Sequence, residues 1–179
     1  MIYKFRAILD AEEDIFRDIA IDEKDTLEDL HNALVNAFGF YGDQMAAFYT
    51  CDDNWNQEDE IPLFDTGDVP GEIRTMKDFV INDLLYEQQT KIIYVYDFFS
   101  MWTFFVELAG MEDKQDGESY PLLLFSHGIM PEEATEQFFE GEDLINEFED
   151  DYDDEDFDNF DDEDFNDFNE FDTNDDNWN

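Results

Sequence analysis

From Glu140 to Asn179 the chain carries 21 acidic residues and no lysine or arginine, and a segment so charged cannot close a hydrophobic core of its own. The fold must therefore be built by the first 139 residues, which hold all 8 basic side chains, the last at Lys114. That length suits a single domain. We read 1–139 as the folded domain and 140–179 as a low-complexity tail that self-repulsion keeps disordered when free. Over the whole chain, 52 acids against 8 bases leave a net charge of −44. Such a surface repels the phosphates of DNA, RNA and anionic membranes, because affinity for nucleic acid comes largely from Lys and Arg releasing counterions.

The opening MIYKFRAILD alternates apolar and polar residues where a secretion signal needs an unbroken apolar run. No window reaches the roughly 18 apolar residues that span a bilayer. The single cysteine, Cys51, has no partner for an internal disulfide, in keeping with a reducing cytoplasm as the expected location.

Within the domain the hydrophobic periods are clear. Ile2 to Leu9 alternates as a half-buried strand, and Ile15 to Ile21 does so again, with the acidic stretch Asp10 to Asp14 as the turn of a hairpin. Thr26 has the character of an N-cap, with Glu28 and Asp29 placed where the helix dipole favours acids. Leu27, Leu30, Leu34 and Phe38 follow at helical spacing, and Gly39 stands where a left-handed residue would end the helix. Met45 to Thr50 reads as a third strand. Cys51 to Glu72, acidic and broken by Pro62, Gly67, Pro70 and Gly71, reads as a long loop. A short helix is expected near Asn82 to Glu87 with Asn82 as its cap, then strands over Lys91 to Phe98, Trp102 to Leu108 and Tyr120 to Phe125. The expected class is α+β, in the order β β α β, loop, α β β β, with helices on one face of a mainly antiparallel sheet. Hairpin, helix and strand is also how a β-grasp fold begins.

The segments IYKFRAIL, IFRDIAI and TLEDLHNALVNAFGF, followed by KIIYVYDF and Trp102, together resemble the root-inducing-plasmid ORF-three-like family, whose members are also labelled insertion-element passenger proteins. The resemblance runs from Ile2 to Leu108 and on through Tyr120 and Pro121. Its most specific parts are Leu30, His31, Ala37, Phe38 and Gly39, and then Tyr94, Tyr96, Asp97, Phe98 and Trp102. It implies a fold and no established activity. The family pattern follows Asp-Phe with Gly and Asp, then Trp and a nearby His; Phe99, Ser100 and Phe104 stand at those departures here. Some members carry a resolvase-like label, which implies DNA cleavage by a serine supported by arginines. With serines only at 100, 119 and 126, arginines only at 6, 17 and 74, and no basic patch, this chain does not fit that label.

The resemblance and the residue types make His31, Asp97 and Trp102 the candidate pocket for a small-ligand or enzymatic function. Each has a plainer reading: a histidine on the rim of the core, a strand-end aspartate forming a turn, a core tryptophan. Asp52 and Asp53 beside Cys51 oppose a reactive thiolate, and Ser126 and His127 as strand neighbours point to opposite faces. Two histidines and one cysteine are too few for a His and Cys zinc cage. Asp154, Asp156 and Asp158 have the spacing that opens an EF-hand, but Asn159 replaces the required glycine and Phe165 the closing glutamate. No cofactor and no specific metal site are expected.

The tail is a tandem repeat, DDEDFDNF at 153–160 and DDEDFNDF at 161–168. Solvation does not account for its aromatics. Phe157, Phe160, Phe165, Phe168 and Phe171 would lie along one side of a helix, within an arc of about 140° at roughly 100° per residue. Asp and Asn form helix weakly, so that helix needs a basic partner to neutralise the acids and accept the rings. The sequence therefore favours a non-enzymatic interaction protein whose tail binds a basic protein, or mimics nucleic acid toward it, over an enzyme.

Overall fold

The computed structural model describes residues 1–133. The expected domain boundary at residue 139 and the tail phenylalanines 157, 160, 165, 168 and 171 lie outside them.

The hairpin forms as the alternation predicts, with β1 (Ile2–Leu9) antiparallel to β2 (Phe16–Asp22). Helix α1 (Leu27–Phe38) starts at Thr26, whose hydroxyl accepts the Asp29 amide while the Asp29 carboxylate accepts the Thr26 amide. It ends at Gly39 in the left-handed conformation, φ 80°, where a side chain would be strained. Then come β3 (Ala46–Cys51), β4 (Gln57–Pro62), a 3₁₀ turn (Met76–Asp78), α2 (Ile81–Leu84), β5 (Lys91–Tyr96), β6 (Trp102–Glu112) and β7 (Leu122–His127). The strands form one sheet in the order β4-β3-β5-β6-β1-β2-β7, and every pairing is antiparallel. The fold is α+β.

Two local readings are corrected. The stretch read as loop from Cys51 to Glu72 contains β4: its QEDE residues are all exposed, and pairing with β3 through Phe48↔Ile61 and Tyr49↔Glu60 makes it a strand without any hydrophobic alternation. The short helix begins at Ile81 rather than after Asn82, because Ile81 is buried and its amide donates to the Asp25 carbonyl.

One face of the sheet carries Phe5, Ile19, Phe48, Ile92, Tyr94 and Phe104, and α1 lies on it through Leu27, Leu30, His31, Leu34, Val35 and Phe38, the i, i+3, i+4 set of an amphipathic helix. The Phe38 and Phe104 rings meet at 4.5 Å between centroids. Each such fully buried side chain contributes about 1.5–3 kcal/mol relative to exposure. The opposite face has a smaller cluster of Cys51, Ile93 and Val95, flanked by Tyr49, Trp55, Met101 and Phe105.

Candidate functional site

His31 sits at the centre of the interface between α1 and the sheet, 3% exposed. Its Nδ1 is 2.8 Å from the Tyr94 hydroxyl of β5, a hydrogen bond whose direction follows the imidazole tautomer. Burial pushes the imidazole pKa down from 6.5 to about 4 and the Tyr94 phenol well above 10, so both groups are neutral at pH 7. This is a satisfied polar contact inside an apolar layer.

Asp97 closes β5 with φ 57°, in the left-handed region that non-glycine residues seldom enter. Its carboxylate accepts the Phe99 amide at 3.1 Å and the Ser100 hydroxyl at 2.8 Å, while its backbone carbonyl accepts the Met101 amide. The side chain thus builds the turn between β5 and β6. Trp102 opens β6 with its ring in the core, 5.7 Å from Phe40, which stacks on Tyr96 at 4.4 Å. The three candidate residues occupy the helix–sheet centre, a turn and an aromatic stack. Among the described residues, the side-chain hydrogen bonds of His31 and Asp97 run to Tyr94 and to the turn, not to each other.

Cys51 is buried, and its thiol pKa is pushed up to about 11, first by burial and then by Asp52 and Glu58. Ser126 pairs opposite Arg17, while the His127 ring stacks on Phe16 at 5.1 Å. A polar pocket of about 480 Å³ lies among Asp65, Gly71, Arg74, Thr75, Lys77 and Asp78. Its groups answer one another: the Asp65 carboxylate accepts the Gly67 and Gly71 amides, and Arg74 donates to the Asp78 carbonyl while lying 4.0 Å over the Phe79 ring.

The surface that stands out lies at the β7 end of the sheet. Leu122, Leu123, Leu124 and Phe125 are 37%, 46%, 44% and 52% exposed, four consecutive large apolar residues on the outermost strand. Sequence reasoning finds the strand but not this exposure, since an unbroken apolar run ordinarily signals a strand buried on both faces. Between β7 and α1 runs an open groove of about 360 Å³ with Ile19, Ala33, Ala37, Pro121, Leu122 and Leu123 as its apolar lining. Among the described residues its polar lining is Asp29, Asn32 and Asn36, all exposed, and none is a cation. Arg17, outside the lining, bridges the same two elements by donating to the Ala37 carbonyl of α1 and the His127 carbonyl of β7. Neither His31, Asp97 nor Trp102 lines this groove or the polar pocket.

Among the described residues no helix is long and apolar enough to cross a membrane. A family model described as plasmid pRiA4b ORF-3-like protein matches residues 2–176, in agreement with the resemblance read from the sequence. No curated protein matches. Among solved structures, the crystal structure of a protein of unknown function from Methanosarcina mazei Go1 is similar, with a TM-score of 0.61 and 22% identity over 70% of this chain and 68% of that one. That likeness speaks to the fold alone.

Proposed function

The chain belongs to the plasmid pRiA4b ORF-3-like family, and from its charge and its apolar edge strand we propose that it is a non-enzymatic interaction protein binding a basic protein partner. One observation carries this reading: four consecutive large apolar side chains, Leu122 to Phe125, stand exposed beside a groove whose polar lining, among the described residues, holds a carboxylate and no cation. Patches of that kind on an otherwise charged surface mark protein contacts. The net charge of −44 selects the sign of the partner, raising encounter rates with a basic surface and opposing an acidic one. In this reading the phenylalanines at 157, 160, 165, 168 and 171 add apolar contacts to the electrostatic ones, the protein presents its carboxylates much as nucleic acid presents phosphates, and it works in the cytoplasm, where Cys51 stays reduced.

The test is calorimetric titration of the full chain with poly-L-lysine at low and physiological salt. Binding that weakens steeply with salt, and at least tenfold when all five phenylalanines become Ala, is expected. Unchanged affinity in that variant removes the aromatics from the interaction, and absence of binding at low salt removes the reading itself. The rival is a small-ligand or enzymatic module at His31, Asp97 and Trp102. It requires function to be lost in Asp97→Asn and kept without Glu140 to Asn179, the reverse of what interaction demands.

A further inference from the structure

The two edges of the sheet are treated differently. Edge strand β4 carries Glu58, Asp59 and Glu60, the charge protection that keeps a free edge from pairing with another chain. At the other edge, β7 hydrogen-bonds to β2 and, among the described residues, has no strand beyond it, and from Leu122 to Ser126 it bears no charge and no proline. Among the described residues, its protection is a register shift opposite Asp18 and Ile19.

Building on the interaction reading above, we infer that β7 is a strand acceptor: its free edge takes an extended segment of the basic partner by backbone pairing. An aliphatic side chain of that segment enters the groove beside Leu123 and Ala33, and a Lys or Arg flanking the paired stretch reaches Asp29. Alternation is what a strand supplies, with successive side chains on opposite faces, so apolar residues point toward the groove while the cations between them point away from it into the acidic surroundings. Main-chain hydrogen bonds contribute affinity, and the groove selects the side chain.

Charge decides among the occupants. A second copy would bring an equally acidic surface and its own Asp29 to the same edge. The chain's segment 140–179 has 21 acids and no base, so it too meets the Asp29, Asn32 and Asn36 rim with like charge. A Lys- or Arg-flanked segment meets it with opposite charge.

The experiment uses the full chain and three labelled decapeptides: five alternating Val-Lys pairs, a block of five Val followed by five Lys, and the alternating peptide N-methylated at every second residue. The alternating peptide is expected to bind at least tenfold more tightly than the block peptide, and N-methylation to abolish that advantage. Leu123→Glu is expected to abolish it too, with the N-methylated arm serving where that variant folds poorly. Equal binding of alternating and block peptides overturns strand acceptance and leaves the polycation reading standing; binding of neither overturns both. A chain that sediments as a dimer and is split by Leu123→Glu assigns the edge to a second copy. A chain that binds the alternating peptide only when Phe157, Phe160, Phe165, Phe168 and Phe171 are Ala assigns it to the chain's own tail. Either result overturns the proposal.

Discussion

The guanidinium of Arg17 on β2 donates to the carbonyl oxygen of His127 at 2.6 Å, fixing the end of β7 to the strand beside it. The same group donates to the Ala37 carbonyl in the last turn of α1 and lies 5.0 Å from the Phe38 ring centroid. Helix α1 has no basic residue in its own last turn, so Arg17 supplies from the sheet the cation that a helix C-terminus favours. Burial lowers its pKa below the ordinary guanidinium value, yet the group stays charged at any working pH.

Removing that group takes a charged donor away from carbonyls of α1 and β7. Arg17→Met should therefore cost about 3 kcal/mol, in the range for breaking a buried charged hydrogen-bond network. Arg17→Lys should cost less, since an ammonium satisfies some of the same oxygens. Urea unfolding checks this: the midpoint falls while the slope is unchanged. A shift below about 0.5 kcal/mol for Arg17→Met would contradict the tether.

Asp97 is the next position where conformation and side chain can be separated. Alanine loses both carboxylate hydrogen bonds and must still hold φ 57°, whereas glycine loses the bonds but enters that region freely. The expected order of stability is wild type, then Asn, then Gly, then Ala, with Ala lower by about 1–2 kcal/mol. Thermal melts of the four proteins decide it, and Ala more stable than Gly would contradict the turn role.

The hairpin, α1 with both caps, and strands β3, β5 and β6 are legible in the sequence because each writes its period or its cap into neighbouring residues. Strand β4 is not, since its Gln57 to Glu60 stretch owes its conformation to pairing with β3 and only Ile61 and Pro62 are buried. Nor is the exposure of β7, because Leu122 to Phe125 has the composition of a core strand and sheet order alone places it at the edge. His31 and Asp97 are legible as residues that matter. What they touch is set by partners distant in sequence for the first, Tyr94, and local for the second, Ser100, so no spacing rule brings them together. Arg17 gives no signal either: the α1 and β7 carbonyls that it joins lie 20 and 110 residues away.

Cys51 offers a check on the buried face opposite α1. With its pKa pushed up to about 11 by burial and by Asp52 and Glu58, it is almost wholly thiol at pH 8. Modification by a disulfide reagent at that pH should run at least 100-fold slower in the native protein than in urea. Comparable rates in both would mean that the face carrying Ile93 and Val95 opens readily.

The final prediction concerns pH and His31. Its folded pKa of about 4 lies below the ordinary 6.5, so between those values the unfolded chain binds the proton that the folded chain refuses. The sign follows: this residue's contribution is intact above pH 6.5 and is lost as pH falls toward 4, at no more than about 1.4 kcal/mol per pH unit, with no further loss below 4. The carboxylates act oppositely, since protonating them relieves the self-repulsion of a chain at −44, and the raw stability profile mixes both effects. Comparison with His31→Gln isolates the histidine, because the carboxylate background is common to both proteins. At pH 7 the wild type should be the more stable, holding the Tyr94 hydrogen bond with a neutral ring, and the gap should close or reverse by pH 4.5. A gap constant from pH 7 to 4.5 would mean that His31 takes up its proton in the folded state as easily as in the unfolded one, and that the contact with Tyr94 opens to water.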